Sequence, residues 1–496
     1  MYLLGIDIGT SFIKVSLVET NTQKCIVTVS YPDSENAIIS HRNGWAEQSP
    51  EMWWKQVQEA IVKLHQAAKK ALPTYDSLAI EAIGIAYQMH GLVLVDKNKK
   101  VLRDSIIWCD SRAVSYGEKA FDTIGHQQCL SHLLNAPGNF TAAKLAWVKE
   151  NEPEVFSQIY KVMLPGDYIA MQLSSEITTS IAALSEGIFW DFKNNCISKD
   201  ITQYFGFEAS IFPTIQEVFS HHGALSKTVA STLSLKAGIP ISYKAGDQPN
   251  NALSLNVLEP GEVAATAGTS GVIYGVGDTL SYDLASRVNS FAHINHSATA
   301  HRIGMLLCIN GTGILNSWIK KYVGANYDYS TMNQMASTVA SGSDGITILP
   351  FGNGAERIFN NKIIGAQILG LDLNKHSAAH LFRAAQEGIA FAFRYGLDIM
   401  RENKLQPTMI KAGKANLFQS PVFTHSFVNA TGVPVTLYNV EGSVGAAIGA
   451  GIGAGMYASS KEAFTGLKPI DIITPKESEK YNMLYENWKN KLAQFI

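Results

Sequence analysis

The sequence predicts a two-domain α/β protein, and three observations carry that expectation. Its 496 residues exceed what one hydrophobic core organises, so two cores are expected. Apolar runs of strand length alternate with helical stretches, the habit of layered α/β domains. Two short glycine–hydroxyl turns, Gly9-Thr10-Ser11 and Gly268-Thr269-Ser270-Gly271, each leave a β-rich run and lie about half the chain apart. Alone, either turn reads as an ordinary hairpin. Repeated, they suggest a duplicated phosphate clamp, because glycine admits close approach while turn N–H groups and hydroxyls donate to phosphate oxygens.

Tyr2-Leu3-Leu4-Gly5-Ile6-Asp7-Ile8 reads as a strand, followed by the first turn and a second strand from Phe12 to Val18. Asp7 adds weight to the clamp, since a carboxylate beside phosphate is costly unless a cation such as Mg²⁺ bridges the like charges. Val27-Thr28-Val29-Ser30-Tyr31 offers a third strand. Ser49-Pro50-Glu51 opens a helix toward Lys70, with Ser as cap, Pro in the first turn and an acid behind it. Ile80 to Ala86 is a buried strand by its apolar run and delivers Gln88-Met89-His90-Gly91 at its end, where ligands gather in open α/β sheets. The segment from Ile106 to Arg112 reads as another strand ending in polar residues. Helices follow near 142–151 and from Leu164-Pro165-Gly166. The stretch 198–235 reads as a variable connection into the second half, with Lys236-Ala237-Gly238-Ile239-Pro240 as the hinge approach.

In Ile241-Ser242-Tyr243-Lys244-Ala245-Gly246-Asp247-Gln248-Pro249, a strand delivers an acid after a glycine, and Pro249 permits a helix start. An Asp there caps a helix or acts as a proton acceptor, and the second phosphate-type turn some twenty residues later favours the acceptor. The run from Ser443 to Gly455 is too short and glycine-rich to span a bilayer and reads as a small-residue helix packed between domains.

Lys plus Arg total 40 against Asp plus Glu 42, without a long block of either sign, which argues against a nucleic-acid footprint. The five cysteines, Cys25, Cys109, Cys129, Cys196 and Cys308, are scattered without metal-ligand spacing, as expected in a reducing cytoplasm. No secretory leader pattern precedes the first strand and no membrane segment is expected.

Taken in order, these motifs resemble those of the FGGY carbohydrate kinases, and within them the xylulokinase branch, over nearly the whole chain. Gly5-Ile6-Asp7-Ile8-Gly9-Thr10-Ser11 is similar to the family's first phosphate motif, followed by Gly44-Trp45-Ala46-Glu47-Gln48 and Trp53-Trp54. Gln88-Met89-His90-Gly91 and Trp108-Cys109-Asp110-Ser111-Arg112 resemble sugar-side signatures. The run from Phe140 through Lys144 to Trp147 resembles one family signature, and Gly370-Leu371 through Gln386-Glu387-Gly388 another.

The resemblance implies a ribonuclease H-like, actin/hexokinase-type ATPase fold with a duplicated core and an interdomain cleft. It places an N-terminal domain at 1–242 and a C-terminal domain at 243–457, with a tail from about 458 to 496 packing back on the first. It implies phosphorylation of a ketose, D-xylulose, by ATP and Mg²⁺, with Asp247 as base and Asp7 organising metal and phosphates, both acids holding the metal through water. Met89, His90, Gln248, Trp108 and Asp110 are then expected at the sugar, and Gly9, Thr10, Ser11, Gly268, Thr269, Ser270, Gly413 and Lys414 at the nucleotide. Relatives suggest a homodimer. Gln248 stands where many relatives have Asn, Ala412 replaces one glycine of the adenosine-side segment, and Ile358-Phe359 replaces a Thr-Pro that the sequence does not account for. A kinase for ribulose, gluconate or glycerol, or a non-catalytic actin-like nucleotide module, are the alternative readings.

Overall fold

The computed structural model describes residues 1–496. Strands Tyr2–Ile8 and Ile13–Glu19 form an antiparallel hairpin with Asp7 opposite Lys14. Cys25–Tyr31 extends it antiparallel, and Ile80–Tyr87 and then Ile241–Gly246 add parallel on the other side. The resulting five-stranded sheet runs Ile241–Gly246, Ile80–Tyr87, Tyr2–Ile8, Ile13–Glu19, Cys25–Tyr31. Its central strands are apolar almost throughout because helices cover both faces.

The second half repeats this order. Inside a seven-stranded sheet, Ile303–Ile309, Gly271–Gly277, Glu262–Ala267, Met409–Gly413 and Val435–Tyr438 are consecutive neighbours. Glu262–Ala267 pairs antiparallel with its hairpin partner Gly271–Gly277 and parallel with Met409–Gly413. The duplicated α/β core is therefore explicit in the topology.

Helix Pro50–Ala71 starts as the sequence requires, with the Ser49 side chain accepting from the Met52 N–H at 3.3 Å. Its buried stripe of Trp53, Val57, Ile61 and Leu64 joins the core of the first sheet, the spacing of an amphipathic helix. The opposite face carries the small-residue helix Gly442–Gly453. A Cβ at Gly5 would lie 1.8 Å from the Ser443 carbonyl oxygen, and one at Gly84 would lie 1.9 Å from that of Ala446. Those two strand glycines let helix backbone rest directly on the sheet, and Ser16 and Ser443 join hydroxyls across the contact at 2.7 Å. The helix thus packs on the first sheet, a partner its composition alone did not name.

Further expectations are corrected. The chain divides into one unit of Met1–Asn256, Phe291–Ile303 and Val440–Lys468 and a second of Val257–Ser290, Gly304–Asn439 and Pro469–Ile496. A boundary at 242/243 would cut strand Ile241–Gly246, which hydrogen-bonds to Ile80–Tyr87, so Asp247 belongs with the first unit. The end of the tail does not pack on the first unit: helix Ser478–Leu492 buries Tyr481, Tyr485, Trp488 and Leu492 in the core of the second, and the Trp488 Nε1–H donates to the Ile348 carbonyl at 2.9 Å.

The stretch 198–235 is no loose connection, because Leu225, Ala230, Leu233 and Leu235 join the first unit's core. Ile239 is buried with them and its carbonyl accepts from the Leu225 N–H at 2.8 Å, so the expected hinge approach is pinned. Finally, only Ser105–Ile106 is strand where 106–112 was expected, since the chain turns at once: the Asp110 N–H bonds back to Ile107 and that of Ser111 to Gly44. No helix is long and apolar enough to cross a membrane.

Candidate active site

Within the first unit, the ends of three adjacent parallel strands bring Asp7, the Gln88-Met89-His90 segment and Asp247 to one edge. Asp247 is the first residue of helix Asp247–Ser254, with Gly246 as a cap that offers no side chain. It is therefore not an N-cap aspartate. The Gln248 and Asp247 N–H groups and the Gln248 side chain lie close enough to favour its ionised form. Burial and then the charge of Asp7 push the Asp247 carboxyl up from 3.8 to about 7, against the pull of those donors. Burial likewise raises Asp7 to about 6, opposed by Lys14 and reinforced by Glu441; Lys14 and Glu441 pair at 2.7 Å.

Asn250 completes this corner. Its Nδ2 donates to the Gly442 carbonyl at 2.8 Å, while its Oδ1, fully buried, has no hydrogen-bond partner. A Cβ at Gly442 would come within 2.4 Å of Asp7 Oδ2, so carboxylate, amide and helix start are in close contact. An oxygen-only donor set without three clustered acidic, His or Cys ligands fits a hard cation that keeps most of its water, as Mg²⁺ does.

On the neighbouring strand end, Met89 is buried and His90 has a left-handed backbone with φ of 63°. Such a conformation in a non-glycine residue is held from outside. The Lys144 ammonium reaches the His90 carbonyl at 2.9 Å, the Glu186 Oε1 accepts from the His90 N–H at 3.3 Å, and the His90 ring Nδ1 lies 3.0 Å from the Glu186 carbonyl. With Nδ1 as donor the ring is the tautomer whose Nε2 accepts. Phe140 and Phe291 flank that ring at 4.9 and 5.5 Å.

Thr10 sits in a different role from the one expected of a phosphate loop. Its hydroxyl accepts from the indole of exposed Trp108 at 3.0 Å and donates to Gln88 at 3.1 Å, and its carbonyl accepts from Gln48 at 2.8 Å. Thr10 thereby ties the first turn to Trp108, Gln88 and Gln48. Gly9 spends its N–H on the Phe12 carbonyl at 3.0 Å to close the hairpin, and the Ser11 carbonyl accepts from Asn36. Asp110, expected at the sugar, is fully buried and used elsewhere: Arg112 holds both its oxygens and the Ala46 N–H donates to it at 2.6 Å. Arg112 also reaches Glu47 and lies 3.8 Å from the Trp45 ring centre, so Asp110 braces the 44–47 loop.

The second unit holds a cavity of about 800 Å³, a volume suited to a small organic ligand. Gly268 and Thr269 form one wall, and their carbonyls accept from the N–H groups of Gly313 and Ile314 at 3.0 Å. Asn316, Tyr329, Asn333, Asn416 and Ser420 supply polar wall, and none of these was singled out from sequence. Ser270, Gly413 and Lys414 do not line it. Gly413 ends its strand, Lys414 is exposed, and the wall is taken up by Asn416 one turn further on. Gln48, Lys144 and Glu186 are the other residues that sequence reasoning left out of the site.

Two family models cover the chain: the N-terminal domain of the FGGY family of carbohydrate kinases over residues 2–254 and its C-terminal domain over 263–454. A xylulose kinase of Bacillus subtilis is 28% identical over 500 aligned residues, covering 99% of this chain and 96% of the relative. Among solved structures, the xylulose kinase from Rhodospirillum rubrum matches with a TM-score of 0.88 at 24% identity, covering 100% of this chain and 99% of the other. The glycerol kinase from Plasmodium falciparum matches at 0.89 and 18%, covering 100% and 98%. Both structural likenesses establish the two-domain actin/hexokinase-type fold.

Proposed function

This chain belongs to the FGGY family of carbohydrate kinases, and we propose that it transfers the terminal phosphoryl group of ATP to D-xylulose, giving D-xylulose 5-phosphate, with Asp247 as the base. Membership of a kinase family sets aside the non-catalytic module. What supports the base assignment is placement: Asp247 begins a helix at the end of a strand whose parallel neighbours end near Met89-His90 and Asp7, and burial pushes its carboxyl up to about 7, the range where a base works.

Phosphoryl transfer passes through a loose transition state, so alignment and electrostatics contribute most and proton removal comes late. Asp247 accordingly orients the acceptor hydroxyl as well as taking its proton. Met89 covers an apolar edge of the ketose, and the fixed tautomer of His90 accepts from a sugar hydroxyl. Trp108, held by Thr10, offers an exposed ring for the sugar's C–H face. The cavity beside Gly268 and Thr269 suits the nucleotide. Asp7 and Asp247 would hold a magnesium ion through its water, with the unpartnered Asn250 Oδ1 as a further acceptor, and the ion would supply neutralisation of phosphate charge.

The curated relatives named xylulose kinase support the ketose, whereas Gln248 in place of the commoner Asn leaves room for a related polyol or ketose. ADP release measured with D-xylulose, D-ribulose, D-gluconate and glycerol decides between them. D-xylulose is expected to give the highest kcat/KM, and the Asp247→Asn variant to lose about 10²–10⁴-fold of it. Retained turnover by that variant would remove Asp247 from the role.

A further inference from the structure

Glu186 has no counterpart among the residues expected at the site, yet its carboxyl lies at the centre of the sugar-side wall. It is 2% exposed. Oε1 accepts from the His90 N–H, and its main-chain carbonyl meets the His90 ring. Oε2 lies on the side of Gly246: a Cβ at Gly246 would come 2.7 Å from it and 2.5 Å from Met89 Cγ, so this oxygen packs beside Met89 against the residue before Asp247. No protein group hydrogen-bonds to Oε2 and no cation pairs with the carboxyl.

The groups facing it explain its chemical form. Asp247 presents negative charge, Asp167 does so while paired with Lys244 at 2.6 Å, Tyr87 is a buried phenol, and Lys144 directs its ammonium at the His90 carbonyl rather than at Glu186. Lys144 is itself brought down to about 7 by burial. An ionised carboxylate with one hydrogen bond, no ion-pair partner and two acidic neighbours is not sustained in such a place. Burial pushes Glu186 well above the usual carboxylate range, the direction that favours its neutral form. A neutral acid has one O–H to donate. Since Oε1 is occupied as an acceptor, that donor falls on Oε2, on the side of Met89 and Gly246.

We propose that Glu186 is a substrate-binding and specificity residue, whose Oε2–H donates to one oxygen of the acceptor sugar beside Asp247. The inference rests on the reading of this edge as the sugar subsite and deepens it. It assigns the protein to neutral polyhydroxy acceptors that present a hydroxyl or keto oxygen here. A carboxylate-bearing acceptor placed at the same point would add a third acid to Asp247 and Glu186.

The test measures D-xylulose binding calorimetrically without nucleotide, together with sugar and ATP KM, for wild type, Glu186→Gln and Glu186→Ala. Glutamine keeps both an acceptor for the His90 N–H and a donor at the Oε2 position, so its sugar Kd is expected within about 3-fold of wild type. Alanine is expected to weaken sugar binding about 10–100-fold with the ATP KM unchanged, the cost of one buried hydrogen bond to substrate. Deoxy analogues of the sugar supply a readout that a purely structural residue would not move. The one analogue lacking the partner oxygen binds about 10-fold or more weaker to wild type and equally to Glu186→Ala. Unchanged sugar Kd in Glu186→Ala, a glutamine variant as impaired as alanine, or equal sensitivity to every deoxy position in both proteins would overturn the assignment. Loss of Asp247 dependence in turnover would instead strike the base assignment and leave these binding results standing, so the two failures are distinguishable.

Discussion

Replacing Asp247 by asparagine should stabilise the folded protein while disabling it, and the size of the gain follows from the site. In the folded chain the carboxyl ionises near 7, whereas an unfolded Asp does so near 3.8. Below about pH 3.8 both states are protonated and the residue contributes nothing to the balance. As pH rises from there to about 7, the unfolded chain releases its proton and the folded one does not, so wild-type stability falls by about 1.4 kcal/mol per pH unit. Above 7 the penalty is complete, about 4 kcal/mol at most, and partial access to solvent reduces this to about 2 kcal/mol.

Asparagine removes that penalty, retains an oxygen for the Gln248 donors, and relieves Asp7 of a like charge. The Asp247→Asn variant should therefore unfold about 2–4 °C higher at pH 8, with the gain shrinking to about 1 °C at pH 5. Thermal melts followed by tryptophan fluorescence at the two pH values, without ligands, measure this. A variant that is no more stable than wild type at pH 8, or equally stabilised at both pH values, would refute the reasoning that this edge holds two acids at a cost.

Three other outcomes follow from the same physical picture. Wild-type kcat/KM should rise with pH to a midpoint near 7, because the base acts in its ionised form; Gln248→Ala removes a donor to that form and should move the midpoint upward by about 0.5–1 pH unit in a pH–rate profile. Gly84→Ala places a Cβ 1.9 Å from the Ala446 carbonyl oxygen, so the small-residue helix must lift, at about 2–4 kcal/mol in urea unfolding. Trp488→Ala opens the second unit's core and releases the Ile348 carbonyl, and should cost about 3–5 kcal/mol in the same assay, whereas a tail lying on the surface would cost almost nothing.

How far the chain could be read in advance depended on whether a residue's meaning was local. The helix at Ser49-Pro50 and the strands around Asp7 and Asp247 carry their signals within a few positions, and they fold as read. The small-residue helix announced close packing but not its partner, because Gly5 and Gly84, which receive it, sit at the far end of the chain. The tail shows the same division: the spacing of Tyr481, Tyr485, Trp488 and Leu492 marks one apolar helix face, yet nothing in that spacing names the core it covers. Asp110 illustrates a signal that was present and outweighed. Arg112 stands two residues on, and in the extended segment expected there positions i and i+2 share a face. A bidentate pair was thus available locally, while the strand-end pattern drew attention to the carboxylate alone.

Glu186 marks the opposite limit, since its neighbours Ala182, Ala183, Leu184 and Ser185 describe only a short buried helix. Its chemistry arises from Met89 and His90 on one strand end and Gly246 on another, which meet it only in the fold. A buried acid without a cation is what propensity and periodicity count as an error, and sites are where a fold retains such errors because a ligand corrects them. The same logic joins Glu186 to Asp7, Asp247 and Asn250 Oδ1: each is a polar group left incompletely satisfied by its own chain. Together they mark the edge where the proposed sugar, phosphate and cation would find hydrogen bonds and charge.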